Sequence, residues 1–461
     1  MIVPDRLLPY LAVDSPAHTL ALRLEAAGHE CFLVGGTVRD ALLDRTNSDL
    51  DLTTSARPDV IADTVKGWAD SVWLPGQRFG TVSCEKNGAR MEITTYRGDI
   101  YRPESRKPEV TFADTIEEDL VRRDFTVNAM ALAILEPRLV DPCDGVDDLV
   151  NRRLRTPRSP EESFADDPLR MLRAARFVAS LGFEPDGDLV AAMRAMHHRL
   201  EIVSAERVRD ELERLLVVED PSLGLWLLCE TGLSDEFLPE LNAMRLEQDP
   251  IHHHKDVLAH TIAVVNNVKS RDRLVRLAAL FHDVGKPKTR SFDDGGVSFH
   301  HHEVVGARMT QARMRALKFS NDDVDDVTKL VYLHLRIHTY AMGWTDKAVR
   351  RYARDAGELL DRLNELQRAD CTTRNERKAA TLAQRMDELE ARISELRERE
   401  ELDAIRPALD GDQVMKFLGL APGPEVGVAL DFLLEVRLDD GPISEAEAYE
   451  RLKVWAQARD S

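Results

Sequence analysis

The sequence predicts an α+β N-terminal head followed by mostly α-helical domains. Short strand-like runs alternate with helical runs from the start of the chain to about Pro157. From Glu161 onward the apolar residues recur at helical spacing, and a break near residue 250 opens a further helical segment. A chain of 461 residues has room for several domains. We place their limits at 1–157 for the head, 158–248 for a helical neck and body, 249–375 for a third helical domain and 376–461 for a helical tail.

Composition and charge limit the partners of this chain. The formal net charge is −20, whereas general nucleic-acid binders are usually basic because phosphate contacts need Lys and Arg. An RNA partner must therefore meet local basic patches, which favours a short, defined end over a long duplex. The five cysteines are scattered and form no CxxC pair, and no apolar run is long enough to cross a bilayer. Since the start of the chain shows no signal-peptide pattern, we expect a cytoplasmic protein with no membrane partner.

The head begins with a strand that runs into two glycines. CFLVGG is the first predicted strand, and LDLTTS, TVSCEK and RMEITTYR are the next ones. Gly35 and Gly36 let the backbone approach a ligand closely, and the helix predicted after them would point its N–H groups at an anion. Arg39 would add a bidentate phosphate contact. The alternative interpretation of the glycine pair is a plain tight turn.

The second predicted strand carries two carboxylates at alternate positions. Residues i and i+2 of a strand share one face, so Asp49 and Asp51 would project together. Like charges on one face repel unless a cation lies between them, and hard oxygen ligands suit Mg²⁺. The alternative is a solvated pair at a strand end. Glu92, in a neighbouring predicted strand, is either a third ligand or an ordinary surface residue.

Two later segments offer donors and acceptors for a nucleotide. RRDFTVNAM places Arg122 and Arg123 as a donor array for a triphosphate, while Asp124 and Asn128 would bond ribose hydroxyls. In DDPLRMLRAAR, Asp167 and Arg170 are predicted to be i and i+3 neighbours on one helix face. An acceptor beside a donor matches the base edges of cytosine and adenine, and guanine and uracil show the reverse pattern. Arg173 and Arg176 follow at three-residue steps. Their spacing is also typical of a row of salt bridges on a helix surface.

GGTVRD, SDLDL, RRDFTVNAM and DDPLRMLRAARF, in this order, resemble the bacterial-type tRNA nucleotidyltransferase and poly(A) polymerase family of the DNA polymerase beta superfamily. The resemblance implies a DNA polymerase beta-like head that adds CCA to the tRNA 3′ end from CTP and ATP. It implies that Asp49 and Asp51 bind catalytic Mg²⁺ and that Asp167 and Arg170 select the base. The other residues implied to contact the nucleotide are Gly36, Arg39, Arg122, Arg123, Asp124 and Arg173. SAERVRDEL resembles the next family motif, in which Glu206 and Arg207 would steady the nucleotide pocket.

Three comparisons within the family bear on the product. Asp166 stands where the family usually has Glu, and the shorter acid is expected to loosen the support of Arg170. LPGQRFGTV resembles the CCA type more than the poly(A) polymerases, which carry a more basic stretch there. The segment before RRDFT looks full length, which favours addition of the terminal A over enzymes that add only CC. Poly(A) polymerase remains the closest alternative activity.

The third helical domain contains histidines in the order His, His-Asp, Asp, which resembles the HD phosphohydrolase superfamily. The resemblance implies a divalent metal held by His260, His282, Asp283 and Asp370. Two further histidines would hold a second metal or the phosphate of a substrate, and a lysine would contact the phosphate: His302, His334 and Lys286. Residues 252–254 are expected to be a surface histidine cluster. Among the nucleotidyltransferases of the resembled family that carry an HD domain, the domain is a phosphohydrolase in some members and only structural in others.

The tail contains a helix with an apolar seam, formed by Leu382, Met386, Leu389, Ile393 and Leu396. This spacing favours a helix hairpin within the chain over a dimer contact, because long coiled coils need more heptads.

The leading prediction is a two-metal transferase whose helical segments hold the tRNA acceptor arm. The basic run Arg152, Arg153, Arg155 and Arg158 is either an RNA contact or a solvated linker. The alternatives are a poly(A) polymerase, an HD phosphohydrolase whose head only recognises RNA, and a non-enzymatic RNA-end binder.

Overall fold

The computed structural model describes residues 3–45, 49–74, 76–77, 80–98, 100–102, 105–109, 111–246, 256–293, 296–337, 345–372, 376–400 and 405–459. The chain folds into two compact units, Met1–Pro239 and Glu240–Ser461. The predicted fold class, an α+β head followed by mostly helical domains, is confirmed. The finer division at residues 157, 248 and 375 stays a prediction.

The first unit contains the sheet. Its strands are β1 (Cys31–Val34), β2 (Asp49–Thr54), β3 (Ser71–Trp73), β4 (Thr81–Lys86), β5 (Ala89–Thr95), β6 (Ile100–Arg102), β7 (Ser105–Glu109), β8 (Ala131–Ala133), β9 (Arg138–Val140), β10 (Arg153–Leu154) and β11 (Glu184–Pro185). Its helices are α1 (Leu8–Leu11), α2 (Pro16–Ala26), α3 (Gly35–Leu42), α4 (Pro58–Val65), α5 (Ile116–Val121), α6 (Gly145–Val150), α7 (Pro160–Asp166), α8 (Leu169–Leu181), α9 (Gly187–Met196), α10 (Ala205–Leu216), α11 (Ser222–Glu230) and α12 (Leu233–Phe237). A further helix, α13 (Pro239–Ala243), lies at the boundary.

Within the described ranges, seven strands form the main sheet in the order β3-β4-β5-β2-β1-β8-β9. β2 pairs antiparallel with β1 and parallel with β5, so it lies inside the sheet. All four residues of β1 are buried, and α2 and α3 both contact this strand. β1, β2, β4 and β5 are the four strands that the sequence predicts, whereas β3, β8 and β9 are too short to stand out from it. α8 packs against α10 and α11 behind the head.

The second unit is almost entirely helical. Its elements are α14 (Val257–Asn267), α15 (Arg273–Phe281), α16 (Lys286–Thr289), β12 (Ser291–Asp293), β13 (Gly296–Ser298), α17 (His302–Ala316), α18 (Asn321–Leu333), α19 (Asp346–Ala356), α20 (Leu360–Asp370), α21 (Glu376–Glu400), α22 (Gly411–Leu418), α23 (Pro424–Asp440) and α24 (Glu445–Arg459). α15 packs against α14, α18 and α20, and the four helices surround a common core. Among the described helices, none is long and apolar enough to cross a bilayer.

The apolar seam of the tail lies in α21. Met386, Leu389, Ile393 and Leu396 are buried, while Leu382 is partly exposed. α21 packs against α19 and α20 of the same unit, which is the within-chain arrangement that the seam favours.

Candidate active site and candidate metal centre

β2 presents a carboxylate face to the cavity of the first unit. Leu50 and Leu52 are buried, with 7% and 1% of their surface exposed, and the alternate residues Asp49 and Asp51 therefore share the opposite face. Glu92 of β5 pairs in register with Asp51. Paired residues of neighbouring strands project to the same side, so Glu92 joins this face. The strand alternation read from the sequence thus gives three carboxylates side by side.

The electrostatics of Asp51 favour a cation beside it. The pKa of this carboxyl is raised to about 6, first by burial and then by the charges of Glu92 and Asp49, which outweigh the lowering by Arg123 and Arg39. Crowded carboxylates of this kind suit a hard divalent ion, which removes their repulsion. The donor set therefore fits Mg²⁺.

The start of α3 comes close to the same face. Gly35 has φ +63°, a backbone conformation that other residues rarely adopt, and a Cβ there would lie 2.9 Å from Nη1 of Arg123. A Cβ on Gly36 would lie 3.5 Å from Oδ2 of Asp51. The glycine pair is therefore more than a tight turn, because it brings a helix N-terminus against a carboxylate and an arginine.

Arg122 and Arg123 share one buried carboxylate, that of Asp119 in α5. Nη2 of Arg122 donates to Oδ1 and Nη2 of Arg123 donates to Oδ2, both at 2.9 Å. The backbone N–H of Arg97 also donates to Oδ1, at 3.0 Å. Sequence reasoning missed Asp119, although its spacing of three and four residues from the arginines on a helix was a usable signal.

A polar chain links α3 to α8. Arg39 donates to Oδ1 of Asn128 at 2.6 Å, Asn128 donates to Oδ1 of Asp124 at 3.0 Å, and Nε of Arg173 donates to Oδ2 of Asp124 at 2.9 Å. Burial alone would raise the pKa of Asp124, but the charge of Arg173 and the bond from Asn128 bring it well below the ordinary range. The ring of Phe177 lies under Arg39 and Arg173, at 5.1 and 5.7 Å from ring centre to guanidinium carbon. This aromatic support was also missed.

The predicted geometry of the base-reading pair needs a correction. Asp167 lies in extended backbone between α7 and α8, with φ −142° and ψ 102°, so it stands just before α8 and not within it, although its carbonyl oxygen accepts from the backbone N–H of Arg170 at 3.0 Å. Pro168 precedes the first residue of α8 and allows this change of direction. Both side chains nevertheless line one cavity, and Nη2 of Arg207 donates to Oδ2 of Asp167 at 2.9 Å.

The expected effect of Asp166 on the support of Arg170 stays a prediction. Asp166 pairs with Arg158 rather than supporting Arg170. Arg170 donates to Oγ of Ser163 at 2.8 Å and to the carbonyl oxygen of Arg122 at 2.6 Å. In this chain Arg170 is therefore held by groups other than the Asp166 carboxylate.

The other arginines of these segments have partners in the first unit. Nε of Arg176 donates to Oε2 of the buried Glu211 at 2.7 Å, so Arg173 and Arg176 do not form the surface stripe of the alternative interpretation. Arg155 pairs with Asp148, at 2.9 Å between Nε and Oδ2.

These groups surround a cavity of about 460 Å³. Pockets for small ligands fall in the range of roughly 300–1,000 Å³. The charged residues that line it are Asp51, Glu92, Arg97, Arg122, Arg123, Asp124, Asp167, Arg170, Arg173 and Arg207. Arginines with a few carboxylates at one end are suited to a triphosphate whose metal ions lie at that end.

The histidine cluster of the second unit is gathered as the sequence predicts. Nε2 of His260 lies 3.0 Å from Oδ1 of Asp370 and 3.5 Å from Oδ2 of Asp283. Nε2 of His282 lies 3.2 Å from Oδ2 of Asp283. Three elements deliver these groups: α14, the end of α15 and the end of α20.

A second triad shares Asp283. Nε2 of His302 lies 3.4 Å from Oδ1 of Asp283 and 3.3 Å from Nε2 of His334. Burial, followed by the charge of His282, lowers the pKa of His334 to about 3, so its imidazole is neutral. Lys286 donates to Oδ2 of Asp283 at 2.7 Å.

The hydrogen bonds of Nδ1 in three of these histidines determine that Nε2 is the ring nitrogen facing the candidate metal centre. Nδ1 of His282, His302 and His334 lies 2.6–2.8 Å from a backbone carbonyl oxygen. A carbonyl only accepts, so each Nδ1 donates, and in the neutral ring Nε2 offers a lone pair to the centre. The residues thus fit divalent ions that imidazole binds well. The predicted histidines at 252–254 lie outside the described residues.

Three family models match the chain. They are the poly A polymerase head domain over residues 31–155, the probable RNA and SrmB-binding site of polymerase A over 182–245, and the HD domain over 251–392.

Curated relatives match nearly the whole chain. An A-adding tRNA nucleotidyltransferase of Deinococcus radiodurans is 36% identical, covering 92% of this chain and 95% of the relative. A CC-adding tRNA nucleotidyltransferase of Thermus thermophilus is 34% identical over 94% and 95%. A CCA-adding enzyme of Streptococcus pyogenes is 30% identical over 93% and 94%. Among solved structures, the Bacillus stearothermophilus CCA-adding enzyme in complex with CTP has the same fold, with a TM-score of 0.72, 24% identity and 99% coverage of both chains.

Proposed function

The chain belongs to the tRNA nucleotidyltransferase family that includes the A-adding, CC-adding and CCA-adding enzymes, and we propose that it adds CCA to tRNA 3′ ends from CTP and ATP. The observation that supports this most is the cavity in which Asp51 and the arginines of four separate segments meet. Its contents match what nucleotidyl transfer requires: ligands for metal, donors for a triphosphate and a polar pair for a base.

Asp49 and Asp51 are the proposed catalytic residues, with Glu92 as a third carboxylate. They would hold Mg²⁺, which supplies charge neutralisation at the attacking 3′-oxygen and at the leaving pyrophosphate. The 3′-hydroxyl of the RNA gives up its proton to solvent and its oxygen bonds to the α-phosphorus, while the bond from that phosphorus to the bridging oxygen breaks and pyrophosphate leaves with the electron pair. Arg122 and Arg123 would bind the triphosphate beside the start of α3, where Gly35 and Gly36 let the backbone come close to Arg123 and Asp51.

Asp167 and Arg170 are the proposed base-reading pair. A carboxylate accepts from the amino group of cytosine or adenine, and a guanidinium donates to the ring nitrogen beside it. Guanine and uracil present the opposite order, so the pair would reject them without a template. Asp124 and Asn128 remain the proposed ribose contacts, and their bonds to Arg173 and Arg39 would orient them.

The relatives include A-adding, CC-adding and CCA-adding enzymes. The nucleotides that this chain adds are therefore what an experiment has to establish. The segment before RRDFT that favours the full CCA product lies partly outside the described residues, as does LPGQRFGTV. The proposal therefore depends on the full-length loop in the sequence. It also places the protein in the cytoplasm, with the tRNA acceptor arm as its macromolecular partner.

The test is extension of a tRNA transcript that ends before CCA, with labelled CTP and ATP. The wild-type protein should add three nucleotides, and Asp49→Ala and Asp51→Ala should abolish addition. Asp44→Ala, an exposed acid of the same unit, is the matched control and should extend normally. Absence of any extension by the wild-type protein contradicts the proposal, and a long A tail assigns poly(A) polymerase activity instead.

For the second unit we propose a metal-dependent phosphohydrolase centre at His260, His282, Asp283 and Asp370. The shared carboxylate of Asp283 supports a second ion at His302 and His334, and this is the first of the two roles predicted for them. Two Nε2 lone pairs 3.3 Å apart need a cation between them, whereas a phosphate needs donors.

Metal counting by mass spectrometry tests this centre in an Asp49→Ala, Asp51→Ala background, which removes the ligands of the head. We expect two Co²⁺ ions per chain, one in His302→Gln and two in His301→Gln, since the His301 side chain is 84% exposed. Zero ions contradict the centre, and one ion in the parent contradicts the second site. Opening of a 2′,3′-cyclic phosphate RNA end to a phosphomonoester, lost in Asp283→Ala, tests the hydrolase activity.

A further inference from the structure

We propose that Asp119 is a positioning residue for nucleotidyl transfer: its carboxylate holds Arg122 and Arg123 apart and aims both at the triphosphate. The proposal rests on the proposed function of the head. It adds a residue that lies behind the cavity wall, because Asp119 itself is fully buried and does not line the cavity.

The carboxylate divides its oxygens between the two arginines. Oδ1 accepts from Nε and Nη2 of Arg122, at 3.3 and 2.9 Å, and Oδ2 accepts from Nε and Nη2 of Arg123, at the same distances. Each guanidinium is therefore held by one edge. Nη1 of Arg123, on the other edge, reaches the start of α3, since a Cβ on Gly35 would lie 2.9 Å from it.

Asp119 is itself held rigidly. Thr115 caps the N-terminus of α5, and its hydroxyl accepts from the backbone N–H of Glu118. Ile116 and Leu120 of the same helix are buried in the core of the head. The backbone N–H of Arg97 fixes Oδ1 from the other side, at 3.0 Å. The anchor therefore comes from the packed core rather than from a loop.

Two adjacent arginines need such an anchor. Their charges repel, and each long side chain loses rotamer freedom when it is fixed. Although burial raises the pKa of Asp119, the charges of Arg123 and Arg122 lower it below its usual value, so the anchor stays ionised. The side-chain entropy of the two arginines is then lost during folding, so nucleotide binding does not carry that cost.

The role predicts a change in nucleotide affinity that does not depend on the base. Asp119→Asn in the full-length protein should raise the KM for CTP and for ATP by the same factor, roughly tenfold for one lost charge-assisted contact. The inhibition constant of pyrophosphate should rise in parallel, because the arginines bind phosphate. A purely structural defect would lower the active fraction and hence kcat, but it would leave KM unchanged.

The matched control is Asp148→Asn. Asp148 is also fully buried and pairs with an arginine, Arg155, but it does not line the cavity. The Asp148→Asn variant should lose as much stability as Asp119→Asn without a change in KM. The conservative variant Asp119→Glu should recover part of the nucleotide affinity. An unchanged KM in Asp119→Asn, or an equal change in Asp148→Asn, overturns the inference. If Arg123→Ala raises KM in the same series, the proposed function of the head stands regardless.

Discussion

At the scale of one residue, a metal ion and a proton compete for the carboxylate of Asp51. Burial and the neighbouring charges of Glu92 and Asp49 raise the pKa of its carboxyl to about 6. A raised carboxyl pKa means that the folded, metal-free protein holds the proton up to about that pH and that ionisation above it is unfavourable. A divalent ion relieves this cost only where the carboxyl has lost its proton.

The thermal shift on adding Mg²⁺ should therefore be larger at pH 7.5 than at pH 5. Glu92→Gln removes one of the charges that raise this pKa, so the difference between the two pH values should shrink. Differential scanning fluorimetry with and without MgCl₂ measures it, and Asp51→Asn is the control in which the pH-dependent part disappears. Equal shifts at both pH values would contradict this account of Asp51.

Residues with local partners are the ones that the sequence can reveal. Asp49 and Asp51 share a face because strand side chains alternate, and this needs no knowledge of the rest of the fold. Helical spacing continues through Asp167 and predicts a helix there, whereas its backbone is extended. Its partner Arg207 lies on another helix, so only the resemblance to a family indicates that contact.

At the scale of elements, α21 is joined to its unit by a buried carboxylate as well as by its apolar seam. Glu400, the last residue of α21, accepts from Nε of Arg350 in α19 at 2.8 Å and from Nη1 of Arg437 in α23 at 3.2 Å. The Glu400 side chain is 4% exposed. The period of the apolar residues predicts the seam, but an ion pair between three helices has no local pattern.

Glu400→Ala should destabilise the second unit by about 3–5 kcal/mol, because it removes the buried carboxylate that two buried guanidinium groups share. Hydrogen exchange of the α19, α21 and α23 amides, measured by mass spectrometry, reports the loss. Glu398→Ala changes an exposed acid of the same helix and should stay within about 0.5 kcal/mol of wild type. Equal exchange in the two variants would show that the seam alone holds α21.

At the scale of the whole molecule, the two units carry separate chemistry. The carboxylate and arginine cavity lies in Met1–Pro239, and the histidine centre lies in Glu240–Ser461. The fold class and the family are accessible from ordered motifs in the sequence, since each motif is a short run with its own spacing. The short strands β3, β8 and β9 are not, because they are defined by their partners in the sheet.

The central claim is template-independent synthesis of CCA by a single chain. Sequencing of 3′ ends tests it most directly, after incubation of a tRNA transcript that ends before CCA with the wild-type protein, CTP, ATP, GTP and UTP together. We predict that the ends are C, C and A in that order and that extension stops there. Ends that stop at CC, a transcript left unextended, long A tails, or incorporated G and U would each contradict it.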